Sequence, residues 1–302
     1  MIKIDPQDAF GPYVLVTPAK DEEQYISATI DSVISQKPPP SEWVIVDDSS
    51  SDRTAEIGEE AARAYPWIRV IRRPSSGKRD FTAVVKAIET GLDSINYRNH
   101  EFVGFLDADV VLPPGYFRAL LEGFVQNHRL GLSGGLVVDP DEKIPRIPNN
   151  LQDVPGAVQF FRRECLEAIG ALIPIPAGGW DMLTCACSRM MGWETRLMVN
   201  LIVRHLKPRN AGISGRTKRF FDFGQRDRAL YYHPLFELLK CLSRIKDRPL
   251  LIGSLFWWMG YLYASFKGLR GPVPPALISH IRQEQRERIK ALFRSPLKRL
   301  YT

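Results

Sequence analysis

The sequence predicts an open α/β sheet flanked by helices, followed by a basic helical extension. Three observations carry that prediction. Short apolar runs alternate with helix-periodic stretches through the first half of the 302 residues. The apolar runs lead into acidic and small polar residues, where open α/β sheets place their ligand sites. The charge also changes sign along the chain: residues 1–200 carry 20 Lys+Arg against 28 Asp+Glu, a net of −8, and residues 201–302 carry 21 against 6, a net of +15. A hydrophobic fraction of 44% with 25% charged residues is that of a globular protein and excludes a disordered chain.

The elements follow in order. Residues 13–17 form the first strand, and 22–36 a helix whose Ile26, Ile30, Val33 and Ile34 recur at helical spacing. Residues 43–46 are the second strand. Asp52 is the expected N-cap of a helix reaching about Tyr65, stopped by Pro66. A strand over 68–71, a helix over 82–95, a strand over 101–106 and a helix over 114–127 come next, and a Gly-containing strand over 132–138 closes the series. Residues 139–157, rich in Pro, Asn and Asp, read as a mobile loop over the edge of the site. Beyond it Gly178-Gly179-Trp180-Asp181 opens a helix ending near Met190, and 197–203 is a β-type run. Cys165, Cys185, Cys187 and Cys241 make no disulfide framework, and Cys185-Ala186-Cys187 reads as helix packing. Met1-Ile2-Lys3-Ile4-Asp5-Pro6 lacks the apolar core of a signal peptide, so the sheet is expected in the cytoplasm.

Val103-Gly104-Phe105-Leu106-Asp107-Ala108-Asp109 is the most informative segment. An apolar run, read as a buried strand, ends in two carboxylates one residue apart, and Pro113-Pro114 closes it before a helix. Such acids suit a hard divalent cation, which in turn suits a diphosphate; taken alone they also suit helix capping. The Walker phosphate loop and G-x-G-x-x-G are both absent, so phosphates would be met by a metal and basic side chains.

The ordered set Thr17-Pro18-Ala19-Lys20-Asp21-Glu22-Glu23, Asp47-Asp48-Ser49-Ser50-Ser51-Asp52-Arg53-Thr54 and Asp107-Ala108-Asp109 resembles the inverting glycosyltransferases of family 2. The resemblance implies the GT-A nucleotide-diphospho-sugar transferase fold, a Rossmann-like mixed sheet flanked by helices. It assigns the base and ribose of the nucleotide to Pro18, Glu23, Asp47 and Asp48. Lys78, in Ser76-Gly77-Lys78-Arg79, would meet the diphosphate, with Arg79 read equally as a solvated charge. Asp107 would serve both the nucleotide sugar and the metal. Many family members carry Glu-Asp where this chain has Trp180-Asp181, the Asp being the catalytic base; Trp180 matches a subgroup linked to polysaccharide assembly. Asp181 is thus the expected base, with helix capping its competing role. His205, just past the 197–203 run, reads as a third metal ligand or as a surface histidine. Arg204, Arg209 and Arg216 are further phosphate candidates. No Gln-x-x-Arg-Trp signature of processive synthases appears, which favours one sugar per encounter.

The last third, residues 221–302 beyond a catalytic domain of 1–220, resembles the same subgroup in Phe223-Gly224-Gln225-Arg226-Asp227-Arg228 and in Ile281-Arg282-Gln283-Glu284-Gln285-Arg286. Residues 249–266 contain no charge. At about 1.5 Å per residue they reach roughly 27 Å, the lower edge of a bilayer core. A membrane-embedded hairpin or in-plane helix, a true span and a buried core helix are the three readings, and basic flanks favour the first.

The expected protein is therefore a membrane-associated glycosyltransferase with its catalytic domain in the cytoplasm. Its donor would be a UDP-, GDP- or dTDP-sugar, its acceptor lipid-linked or a growing glycan, and its cofactor Mg²⁺ or Mn²⁺. An anionic membrane surface is the expected partner of the basic third, and nucleic acid is not. The alternatives are a sugar nucleotidyltransferase, which would carry a Gly-rich basic loop after the first strand, and a non-catalytic membrane- or nucleic-acid-binding protein on a degenerate fold.

Overall fold

The structure, a computed structural model, describes residues 10–74, 81–140, 142, 145, 147–148, 150–207, 215–245 and 251–294. It divides into two compact units, one of residues 1–174 and 180–209, the other of 175–179 and 210–302. The first unit runs β1 (Tyr13–Ala19), α1 (Ile26–Ile34), β2 (Glu42–Asp47), α2 (Thr54–Ala64), β3 (Ile68–Arg72), α3 (Phe81–Ser94) and β4 (Phe102–Phe105). It continues with β5 (Val110–Val111), α4 (Tyr116–Gln126), β6 (Leu130–Val138), β7 (Phe160–Arg162), α5 (Arg163–Ile169), α6 (Trp180–Met190) and β8 (Glu194–His205).

Among the described residues one eight-stranded mixed sheet has the order β3-β2-β1-β4-β7-β6-β8-β5. β3, β2, β1 and β4 are parallel neighbours, and β7 joins β4 and β6 antiparallel. Chain order reverses between β1 and β4, which makes that junction the crevice where such sheets bind ligands. The near-continuous apolar strands follow from burial on both faces. Period two sends Tyr13, Leu15, Trp43 and Ile45 to one core with Ile26, Ile30, Phe117 and Leu120, and Val14, Val16, Val44 and Val46 to the other with Val85 and Ile88. Gly91 lets α3 lie flat on the second face, since a Cβ there would come within 2.4 Å of Val16.

Several local expectations shift. The first helix starts at Ile26, because Glu22–Tyr25 form a turn closed by the Tyr25 amide on the Glu22 carbonyl, after Asp21 at φ 54°. Arg53, not Asp52, holds the N-cap position of α2; Asp52 instead accepts from the Thr54 amide at 3.0 Å. The stretch around 150–158 is anchored rather than loose: Val154 and Val158 are buried, and the Leu197 amide donates to the Leu151 carbonyl at 2.7 Å. Cys185 is buried on α6, as its packing role requires.

The second unit contains α7 (Arg216–Ala229), α8 (Pro234–Ser243), α9 (Ile252–Phe266) and α10 (Pro275–Arg294). A boundary at residue 220 would cut α7, so the helical unit begins earlier than its composition suggested. α7 and α9 meet backbone to backbone: a Cβ on Gly224 would lie 2.0 Å from the Trp257 carbonyl, and one on Gly260 2.0 Å from that of Phe221. Among the described residues, no helix is long and apolar enough to cross a membrane.

Candidate active site

Each acidic strand end is held by neighbours that were not obvious in the sequence. β4 ends with the Leu106 amide donating to Val16 and the Asp107 amide donating to the Ala157 carbonyl at 3.0 Å. From there the chain is fastened to the inner face of α1 and its C-terminal turn. Thr29 Oγ1 donates to the Ala108 carbonyl at 2.8 Å and accepts from the Val110 amide at 3.2 Å. Ser32 Oγ accepts from the Leu112 amide, and Gln36 spans from the Pro113 carbonyl to the Tyr116 amide. The side chains of 29, 32 and 36 follow helical spacing, so one polar stripe aligns the whole 107–116 segment.

β5 then pairs antiparallel with the end of β8, placing Val110 opposite His205, and the Leu206 amide donates to the Asp109 carbonyl at 2.8 Å. The register brings one ligand atom each of Asp107, Asp109 and His205 within 4.8 Å of one another. His205 Nε2 lies 3.5 Å from Asp109 Oδ1. Its Nδ1 contacts the Lys207 carbonyl, which only accepts, so Nδ1 donates there and Nε2 is the ring nitrogen turned toward the carboxylate. A backbone carbonyl on the far nitrogen is the usual way a metal-binding imidazole is oriented. Two carboxylates with one imidazole fit a divalent cation. Of the two readings of His205, this placement joins it to the acids. Glu22 Oε1 meets Lys207 Nζ at 2.7 Å, both largely buried, tying the end of β8 to the loop after β1.

Asp181 lies in the first turn of α6 and accepts from the Gly156 amide at 3.1 Å through Oδ2. Gly156 adjoins Ala157, the acceptor for the Asp107 amide, so two consecutive residues link Asp181 to the metal-candidate strand end. Only glycine fits there: a Cβ would lie 2.8 Å from the Trp180 ring and 3.2 Å from Asp181 Cβ. Trp180 is buried with its ring 6.4 Å from that of Phe105. Gln159, fully buried, donates to the Val154 carbonyl at 3.1 Å and the Asp181 carbonyl at 3.2 Å, clamping the 154–159 turn to α6. Sequence reasoning missed Gln159, whose one signal is a polar residue between Val158 and Phe160.

At the other end of the crevice Pro18 and Ala19 pair with Val46 and Asp47. Both Asp47 oxygens accept from the Ser50 amide, and nearly buried Asp48 pairs with Arg73 Nη1 at 3.2 Å. Lys20 Nζ donates to the Asp48 carbonyl at 2.6 Å, so the turn is pinned from two sides. Glu23 is exposed and accepts from the Arg53 amide at 3.1 Å, serving the start of α2. Asp52 is pushed up by its burial, but hydrogen bonds from the Thr54 hydroxyl and amide and the Glu23 amide hold it below the usual carboxylate range. Arg204 is exposed on β8. Lys78 and Arg209 lie outside the described residues, as does the side chain of Arg216.

The model of the family Glycosyl transferase family 2 matches residues 14–176, which contain the β1, β2 and β4 ends. The chain is 30% identical over 172 residues to poly-beta-1,6-N-acetyl-D-glucosamine synthase of Staphylococcus epidermidis, covering 57% of this chain and 37% of that protein. It is 25% identical over 217 residues to beta-monoglucosyldiacylglycerol synthase of Synechocystis, covering 62% of this chain and 42% of that one. The chain thus spans less than half the length of either relative. Among solved structures, the mannosyltransferase PcManGT from Pyrobaculum calidifontis, in complex with GDP-Man and Mn²⁺, superposes with a TM-score of 0.57 at 17% identity, covering 98% of this chain and 84% of that one. S. aureus TarS 1–349 with UDP-GlcNAc gives 0.53 at 15% identity over 85% and 73%. These neighbours share the fold, a mixed α/β sheet of the GT-A transferases. Because the family model spans more than half of the chain and includes its acidic strand ends, the chain belongs to glycosyl transferase family 2.

Proposed function

We propose that this glycosyltransferase moves a hexose-type sugar from a nucleotide-diphosphate donor to a lipid-linked or growing glycan acceptor, with inversion at the anomeric carbon. The observation that carries the reading is the 156–157 turn, whose amide donates to the Asp181 carboxylate and whose carbonyl accepts from Asp107. A candidate base and a candidate diphosphate-metal site thereby share one rim of the crevice.

Asp107, Asp109 and His205 would hold Mg²⁺ or Mn²⁺, which when bound supplies positive charge for the departing diphosphate. Asp181 takes the proton of the acceptor hydroxyl. The acceptor oxygen then bonds to the anomeric carbon from the face opposite the diphosphate, and the sugar–phosphate bond breaks with its electron pair leaving on the nucleoside diphosphate. Gly156 and Gln159 hold Asp181 in place during that transfer. Pro18, Asp47 and Asp48 form the floor for base and ribose. Glu23 contributes at the rim through the turn it braces, and Lys78 remains the proposed phosphate contact. GDP-Man and UDP-GlcNAc in the neighbours support a nucleotide-sugar donor, Mn²⁺ in one of them supports the cation, and the similarity to a beta-monoglucosyldiacylglycerol synthase supports a lipid acceptor.

The test is release of free nucleoside diphosphate from UDP-, GDP- and dTDP-sugars with Mn²⁺, with and without lipid acceptors. One donor class should turn over, faster with acceptor. No release from any donor would refute the reading.

A further inference from the structure

Helix α9 is built inside out for a helix in water. Its inward side consists of Gly253, Ser254, Trp257, Gly260, Tyr261 and Ala264, which are small or carry a polar tip. Trp257 Nε1 donates to Asp227 at 2.7 Å and the Tyr261 hydroxyl to the Tyr232 carbonyl at 2.6 Å. The outward side, by contrast, holds large apolar residues. Ile252, Leu255, Met259, Leu262 and Phe266 recur at helical spacing and all are exposed, Phe266 to 92%. No charged residue interrupts the helix. A solvent-facing helix normally carries its polar side outward.

Exposed cations follow this stripe. Lys267 follows the last residue of α9, its Nζ 6.0 Å from the centre of the exposed Tyr263 ring, and Arg270 is exposed one turn on. An exposed apolar stripe ending in basic side chains suits a helix lying in a headgroup layer, with apolar side chains in the acyl region and long basic side chains reaching phosphate. The helix has 15 residues, about 22 Å of length, which suits lying in the plane rather than crossing.

We propose that the outer face of α9 inserts into the interfacial layer of an anionic lipid bilayer, parallel to the membrane plane. Charge selects this occupant over a second copy of the chain: residues 201–302 carry a net of +15, which attracts anionic headgroups and repels an identical surface. The inference deepens the proposed function by placing the enzyme where a lipid-carried acceptor lies, but the binding itself does not depend on the donor or the cation.

Flotation of the full chain with phosphatidylcholine vesicles, with and without phosphatidylserine, tests it. Wild type should float with the anionic vesicles and stay bound at 1 M salt, where the Debye length is only about 3 Å and an inserted face is unaffected. Leu255→Glu/Met259→Glu and, separately, Phe266→Ser should weaken flotation, the former by about tenfold or more. All three positions are exposed, so the thermal midpoint and nucleoside diphosphate release from free donor should remain those of wild type. Asp109→Asn should float like wild type, which separates membrane binding from catalysis. Equal flotation of wild type and Leu255→Glu/Met259→Glu would overturn the proposal. So would a wild-type chain that ignores both vesicles, or a dimer that the same substitutions dissolve.

Discussion

In the C-terminal unit Asp227 is fully buried and meets Lys240, the Arg226 guanidinium at 3.2 Å and the Trp257 indole. In the N-terminal unit Asp107 and Asp109 instead converge with a histidine, His205, whose Nε2 lies 3.5 Å from Asp109 Oδ1. Both units place acids away from bulk water, which is costly unless the charge is matched. The C-terminal unit supplies the matching cations from its own chain. Burial raises Asp227, but Lys240 and Arg226 outweigh it and hold the group below the usual range. Glu237 beside it is pushed up to about 7, by burial first and by the charge of Asp227 second. That cluster is closed and holds α7, α8 and α9 together. The N-terminal cluster brings one ligand atom from each of two carboxylates and an imidazole within 4.8 Å of one another, a donor set that could hold a cation. Buried charge alone therefore does not mark a functional site; the chemistry of its nearest partners separates scaffold from site.

The sharpest break of this contrast on the catalytic side is Asp181→Asn, which keeps the Gly156 hydrogen bond but removes the proton acceptor. Turnover should fall by roughly 10²–10⁴ with donor affinity within a few-fold of wild type; unchanged turnover would leave Asp181 as a helix-start residue. On the scaffold side, Lys240→Met removes the shared cation from Asp227 and Glu237. Stability should drop by about 3–5 kcal/mol in denaturant titrations. A drop below 1 kcal/mol would show that Arg226 and Trp257 suffice. Thr29→Val, nearly isosteric, leaves the Ala108 carbonyl and Val110 amide without their side-chain partner, at a cost of about 1–3 kcal/mol. It should weaken Mn²⁺ binding measured by calorimetry, and unaltered affinity would show that the β5–β8 pairing aligns the acids alone.

The smallest effect concerns pH. Between the ordinary glutamate value and about 7, folded Glu237 keeps a proton that the unfolded chain has lost, so stability contributed by this group falls as pH rises through that window. Asp227, held low, acts in the opposite sense, and its contribution is lost only as pH falls below the usual aspartate range. The thermal midpoint should decline from pH 5 to pH 7.5, and Glu237→Gln should flatten that decline. An equal slope in both proteins would contradict the assignment.

The long elements were legible because their side chains repeat. β1, β2 and β3, read as 13–17, 43–46 and 68–71, extend by one or two residues at each moved end. β5 and β7, with two and three residues, carry too little periodicity to be seen, yet they complete the site: β5 sets His205 against the acids, and β7 inserts between β4 and β6. Asp107, Asp109, Asp181 and His205 were readable as residue types at strand and helix ends. The supports were not, since Gln159 and Gly156, which hold Asp181, and Arg73, which pairs with Asp48, act through contacts across 22 to 25 positions of sequence. Thr29 and Ser32 did leave a trace, polar positions on the helical face that also carries Ile26, Ile30 and Val33. Glu22 and Glu23 exchanged prominence because the helix begins four residues later than its pattern suggested. That turn sends Glu22 to Lys207 and Glu23 to Arg53.

The proposed sugar transfer requires Asp107, Asp109 and His205 to act as its cation site. Nucleoside diphosphate release, measured in EDTA and again after Mn²⁺ is restored in excess, tests this most directly when wild type is run beside Asp109→Asn. Wild type should lose turnover in EDTA and recover it with Mn²⁺, while Asp109→Asn stays inactive in both. Full wild-type turnover in EDTA, or Asp109→Asn restored to wild-type rates by Mn²⁺, would contradict it.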